Sequence, residues 1–283
     1  MAIELAASRY GKSSVRLLKV MRHPDRHEIM ELTVDVACTG DLAAAYTAGD
    51  NRQVLPTDTM KNTVYALARE HRFGEMEELG LLLGRHFIAG NPQFERVDIG
   101  LAARSWSRLE VAGKPHPHAF VEAGAERRTA TVEIGRRASA VSAGLADLLV
   151  LKTAASAFEG FPRDRFTTLP EARDRILATR LRARWRYHGG GTAGIDFGAA
   201  FAGIRQRLLE AFAGHDSRSL QHTLYAMGEA VLAGFPEVEE IALVLPNRHY
   251  LPVDLSPFGL ANDNQVFVAT DEPYGLIEAT LRR

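Results

Sequence analysis

Apolar residues at every second position between 30 and 38 constrain this chain most. Met30, Leu32, Val34, Val36 and Cys38 alternate with Glu31, Thr33 and Asp35. A period of two belongs to a strand with one buried face, because successive side chains of an extended backbone point to opposite sides. A partner strand is expected over 14–21, with a turn at His23-Pro24-Asp25-Arg26-His27 between the two. The period then changes. Met60, Val64 and Leu67, then Met76, Leu79, Leu83 and Phe87, fall on single faces of helices over 57–70 and 75–89. Strands return at 96–106 and 129–134. The second half repeats the order: strands at 141–152 and 180–188, helices at 197–213 and 217–233, then strands at 241–245, 265–269 and 276–281. A short extra helix is expected over 170–179. The predicted class is α+β, two β-β-α-α-β-β domains over 1–138 and 139–283, with antiparallel sheets and paired helices.

Composition excludes several functions. The formal net charge is −1, so the basic excess that nucleic acids or anionic membranes call for is missing. Neither partner is expected. Cys38 is the sole cysteine, which rules out an intramolecular disulfide and a cysteine-rich metal cluster and suggests a reducing compartment. The start of the chain lacks the apolar core of a signal peptide, and Thr280-Leu281-Arg282-Arg283 does not match the Ser-Lys-Leu peroxisomal address. The cytoplasm is the expected location.

Candidate chemistry begins at Arg52-Gln53-Val54-Leu55-Pro56-Thr57-Asp58. Proline before a first turn fixes the backbone, Thr or Asp there can cap the helix, and the positive pole of the helix welcomes an anion. A plain cap satisfies the pattern equally well. His116 and His118, in a proline-rich run, could face one way as metal ligands. No third ligand is local, so they read as structural histidines at a strand entry, and no metal is expected. His188-Gly189-Gly190-Gly191 has neither a nucleophile elbow nor a Gly-Lys-Ser/Thr ending, and reads as a loop. Arg180, Arg182, Arg184 and Arg186 alternate with Leu181, Ala183, Trp185 and Tyr187, the pattern of a solvated or tunnel-lining strand face.

Further segments complete a set: Arg9-Tyr10-Gly11-Lys12, the run Phe158-Glu159-Gly160-Phe161 through Thr168-Leu169, Asp174-Arg175, Ser219-Leu220-Gln221-His222, and Leu245-Pro246-Asn247-Arg248-His249-Tyr250. Together with Thr57-Asp58 and 114–118, they resemble the urate oxidase (uricase) family in order and over the whole chain. Two departures are small: Leu220 stands where Val is common, and Pro162 where a larger apolar residue is usual.

The resemblance implies two tandem tunnelling-fold (T-fold) domains and a homotetramer whose sheets close into a barrel, with active sites at subunit interfaces. It implies oxidation of urate by O2 to 5-hydroxyisourate and hydrogen peroxide, with no metal or organic cofactor. Arg175 and Gln221 would clamp the purine edge, Phe158 would stack on it, and Leu169 and Leu220 would wall the pocket. Lys12 and Thr57 of a neighbouring subunit would join His249 as a proton relay. Thr57 and Asn247 would hold O2 and then water, and Asp58 would support the site through a backbone contact. The alternatives are a metal-dependent T-fold enzyme acting on a purine or pterin, and a non-catalytic purine-binding oligomer.

Overall fold

The computed structural model describes residues 3–189 and 194–283; most of the glycine-rich run, residues 190–193, lies outside them. Strands β1 (Tyr10–Arg22) and β2 (His27–Gly40) lead through helices α1 (Ala43–Thr47), α2 (Thr57–Glu70) and α3 (Met76–Gly90) to β3 (Phe94–Val111) and β4 (Lys114–Gly135). Then come β5 (Ser139–Lys152), β6 (Leu177–Tyr187), α4 (Phe197–Gly214), α5 (Leu220–Gly234), β7 (Val238–Pro252) and β8 (Phe267–Arg282). Hydrogen-bonded strand neighbours follow chain order, so β1 and β8 are edge strands. The residues form two compact units, Met1–Gly144 with Arg186–Gly198, and Leu145–Trp185 with Ala199–Arg283.

In the first unit, the alternating residues do what their period demands. Leu32, Val34, Val36 and Cys38 are buried beside Ile99, Leu101, Val132 and Ile134 from β3 and β4. Met60 and Val64 of α2, and Leu79, Leu83 and Phe87 of α3, are buried with them. Each fully buried aliphatic side chain contributes about 1.5–3 kcal/mol. Helix α3 is set close to the sheet by Gly80 and Gly84. A Cβ on them would meet Val132 Cγ2 at 2.7 Å and Ile134 Cγ1 at 2.5 Å. The helix begins at a capping box between Glu75 and Glu78, and Arg128 pairs with Glu75 at 2.6 Å and with the fully buried Glu77 at 2.8 Å. Strands β3 and β4 run further than expected, turning at Ala112 and Gly113, both at positive φ (50° and 73°). That leaves His116 and His118 within β4.

In the second unit, Leu181, Ala183 and Trp185 of β6 are buried, and their arginine neighbours take the opposite face. Leu224, Met227 and Val231 of α5 are buried along with Ile241, Leu243 and Leu245 of β7. Some expectations fail. Residues 170–176 are not helical: Ala172 pairs with Phe158 and the chain bends at 173–174. Ser217 stands outside α5, whose N-cap is Ser219. Two short strands expected near the C-terminus are one long β8.

Gly11 fixes where Lys12 sits. A Cβ on it would lie 1.8 Å from the Val36 carbonyl oxygen, so only glycine allows β1 to approach β2 there. The register shifts directly after it, between Lys12 and Val15, where Ser14 adopts φ 59° and its N–H donates to Asp35 Oδ1 at 2.7 Å. Gly11→Ala should therefore destabilise the protein by about 1–3 kcal/mol, read as a lowered urea midpoint with an unchanged slope.

Candidate active site

Helix α2 lies along β1 and is tied to it. Tyr10 Oη donates to the Leu55 carbonyl at 3.2 Å, Tyr65 Oη to that of Arg16 at 3.3 Å, and Lys19 Nζ to those of Ala68 and His71 at 2.8 and 2.6 Å. Burial pushes the Tyr10 hydroxyl up to about 12, which keeps it a donor at neutral pH. This lacing sets half-buried Lys12 near the start of α2, where Thr57 and Asp58 open the first turn.

The cap is not Thr57. Pro56, with φ −55° and ψ 135°, is the N-cap and makes no side-chain capping bond; the chain becomes helical at Thr57. The first-turn N–H groups therefore keep their capacity for an outside acceptor. The Asp58 carboxyl is held below its usual range, chiefly by Lys61, which donates to Oδ1. Asn62 donates to Oδ2 at 3.0 Å, and the charge of Lys12 adds a smaller pull. Asp58 is thus occupied locally, consistent with support rather than proton transfer.

In the second unit, backbone hydrogen bonds join three separate segments. Phe158 and Ala172 exchange N–H···O bonds at 2.7 and 3.1 Å. Ser217 donates its N–H to the Ala155 carbonyl at 3.0 Å, and its own carbonyl accepts from Ala157 at 2.7 Å. The buried Ser217 hydroxyl donates to the Ser219 carbonyl at 3.0 Å and accepts from Thr223 Oγ1 at 2.7 Å. Ser219 Oγ then caps α5 by accepting from the His222 N–H at 3.1 Å. Asp174 Oδ1 accepts from the Ser156 N–H at 3.3 Å. Phe158, Arg175 and the α5 start at Leu220 and Gln221 share this frame.

Arg175 is the unusual member. Its Cζ lies 5.1 Å from the centre of the Phe158 ring, and its Nε is buried without a hydrogen-bond partner. Desolvation lowers its pKa, yet a guanidinium remains cationic at neutral pH. A half-buried cation with a buried, unfilled Nε suits an anionic, planar acceptor. Gln221 is exposed at the first turn of α5, Leu169 is about half exposed, and Leu220 is 2% exposed. Leu220 therefore belongs to the core under the helix start.

Asn247 and His249 lie on β7, which runs well past the strand expected over 241–245. The register with β8 shifts between them, and both are half-buried. Asn247 faces Gly275, and the His249 carbonyl accepts from Thr270 Oγ1 at 3.2 Å. Lys12, Thr57 and Asp58 belong to the first unit; the other predicted site residues belong to the second.

Other candidates have other uses. The His116 and His118 rings stack edge-on at 4.6 Å, with His27 at 6.0 Å from His118. Among the described residues, no three His, Cys, Asp or Glu side chains are grouped to hold a metal ion. A cavity of about 470 Å³ opens between α5 and β8, lined by Tyr225, Glu229, Leu232 and Arg283, with no predicted site residue on its wall. Cys38 is buried, and burial pushes its thiol up to about 12. Sequence inspection missed the framework of Ser217, Thr223 and Asp174. Ser219 followed by a helical period signals a cap, but nothing local signals that Ser217 pairs with Ala155.

The sequence model of the uricase family matches residues 8–133 and 141–278. The uricase of Arthrobacter globiformis is 49% identical over 99% of this chain and 90% of its own length. The uricase of Danio rerio is 38% identical over 99% and 95%. The crystal structure of uricase from Arthrobacter globiformis superposes with a TM-score of 0.94 at 48% identity, covering 100% of this chain and 96% of the other. The chain belongs to the uricase family.

Removing the hydroxyl at the centre of the frame tests its weight. Ser217→Ala should cost about 1–3 kcal/mol, since Thr223 loses its acceptor in a fully buried site. Chemical denaturation followed by circular dichroism measures it.

Proposed function

We propose that the protein oxidises urate with O2 and water to 5-hydroxyisourate and hydrogen peroxide, with no metal or organic cofactor. Urate gives up two electrons, O2 accepts them with two protons, and water supplies the hydroxyl at C5. The observation that carries this reading is Arg175, a half-buried cation beside an aromatic ring, its Nε buried and unsatisfied. Family membership supplies the substrate.

Arg175 and Gln221 hold the carbonyl and ring-nitrogen edge of the urate anion, and Phe158 stacks on its plane. Leu169 borders the purine, and Leu220 acts from below by fixing the start of α5. Thr57 and Asn247 hold O2 over the ring and then the attacking water. Lys12, Thr57 and His249 pass the protons. Urate is itself the reductant, so the protein's task is to favour the deprotonated form and to position O2. Asp58 steadies the first turn of α2.

The assembly we propose is a homotetramer of chains with two tandem T-fold domains, residues 1–138 and 139–283. Edge strands β1 and β8 carry backbone groups that edge-to-edge pairing would satisfy, which favours closure into a barrel. Lys12 and Thr57 of one subunit then complete the clamp of a neighbour. No helix among the described residues is long and apolar enough to cross a membrane. The lone, buried Cys38 supports a cytoplasmic location.

Urate loss measured together with oxygen uptake, on chelator-treated protein, is the first test. Matched consumption that survives chelation is expected. Activity restored only by added metal would move the protein to a metal-dependent relative, and urate binding without oxygen uptake would make it a binding protein. Lys12→Ala should lower kcat by about 10²–10⁴-fold with little change in binding of xanthine, an inert analogue. Arg175→Ala should instead raise KM by about 10- to 100-fold. Mixing the two impaired variants should recover activity, because each retains the half-site that the other lacks; no recovery in mixed oligomers would place both residues in one subunit's site.

A further inference from the structure

Beyond the clamp itself, Phe158 is held by a second aromatic ring. Gly160 adopts φ 71°, a left-handed conformation that turns the chain back so that Phe161 lies against Phe158. The two rings are stacked, with centroids 4.9 Å apart and planes 13° from parallel. Arg163 lies over the outer ring, its Cζ 5.2 Å from the Phe161 centroid, as Arg175 lies over Phe158 at 5.1 Å. Each ring of the pair thus has the other ring and one guanidinium close to it.

The turn carrying this pair is anchored beside Arg175. The Gly160 N–H donates to Glu171 Oε1 at 3.1 Å, and Arg173 Nε donates to Glu159 Oε1 at 3.1 Å. Phe158 and Ala172 pair through the backbone between these contacts. The chain thus makes cross-links from 158–160 to 171–173, two residues before the half-buried guanidinium. Stacked aromatic pairs gain energy beyond the area they bury, and a stacked ring loses its freedom to tilt.

We propose that Phe161 is a positioning residue for purine binding. It covers one face of Phe158 and holds that ring at the angle the substrate needs, leaving the opposite face for the flat anion, whose edge Arg175 would meet. Phe161 does not touch the substrate; it acts through Phe158. Its chemical preference is for any ligand combining a planar conjugated ring with a negatively charged edge. This inference rests on the urate-binding reading above and adds to it the means by which the stacking ring is oriented.

The test uses the full-length protein with urate as substrate and xanthine as the inert probe. Phe161→Leu should raise the urate KM and the xanthine Kd together, by roughly 2- to 10-fold, with kcat changed less than about twofold. Phe161→Tyr keeps the stack and should restore both constants. In a Phe158→Leu background, where there is no ring to orient, Phe161→Leu should have no further effect on xanthine affinity. Additive losses in that double variant, unaltered xanthine binding in Phe161→Leu, or equal impairment of the Leu and Tyr variants would each overturn the proposal. Gly160→Ala, which strains the turn without removing a ring, should shift affinity in the same direction as Phe161→Leu, and normal affinity would count against the turn's role. A wild-type protein that neither oxidises urate nor binds xanthine would overturn the functional reading and this inference with it.

Discussion

A guanidinium drawn partly out of water is the constraint around which the second unit is organised. Leaving a buried polar donor unpaired costs about 1–3 kcal/mol. The half-buried Arg175 carries that cost at Nε, with the Phe158 ring at 5.1 Å as its neighbour. A cation–π contact offsets about 0.5–2 kcal/mol of it, and an anionic acceptor would satisfy the remaining donor. Such a group would relax into solvent unless its backbone were held, and the cross-links among 155–158, 172–174 and 217 hold it. The frame keeps the cation desolvated, and the desolvated cation gives the site its preference for a charged planar ligand.

This explains how a protein with a net charge of −1 can bind an anion well. Total charge governs long-range steering, whereas a half-buried guanidinium acts at contact distance and in a low-dielectric setting. The same economy is visible at α2. Lys61 and Asn62 engage both carboxylate oxygens of Asp58, on which the charge of Lys12 exerts only a smaller pull. The arginines of β6 play a different part, filling the exposed face of a strand whose other face is core.

Much of the fold was legible because it rests on periods that a few residues reveal. The alternation from Met30 to Cys38 gave β2, and the spacing of Met60, Val64 and Leu67 gave α2 with the bounds found in the structure. The failures share a cause. Residues 170–176 looked helical by local propensity, yet Ala172 is committed to Phe158 through a pairing fourteen residues distant in sequence. The strand expected over 241–245 stops short of His249, but β7 pairs with β8 and continues to Pro252 through a register shift. Tertiary pairing overrode local preference in both cases. The candidate residues were legible only through their family resemblance, since Lys12, Thr57, Arg175 and His249 are individually ordinary. The framework behind them, Ser217 above all, carries no local sign of the contact it makes.

The division of the candidate residues between the two units follows from what each half can build. Stacking and clamping need a rigid concave frame with a desolvated cation, and the cross-linked segments around Phe158 and Ser217 supply one. Proton transfer needs an amine and a hydroxyl on elements that can be brought to the purine from outside, and the laced β1–α2 pair offers Lys12 and Thr57 in that way. A lysine inside the clamp would repel Arg175 and weaken both cations. Placing it on a separate element, to be joined by assembly, keeps each charge compatible with its surroundings until the substrate anion lies between them. In the proposed homotetramer, oligomerisation would be part of the catalytic design, because closure of the edge strands would set base and clamp on opposite sides of one purine.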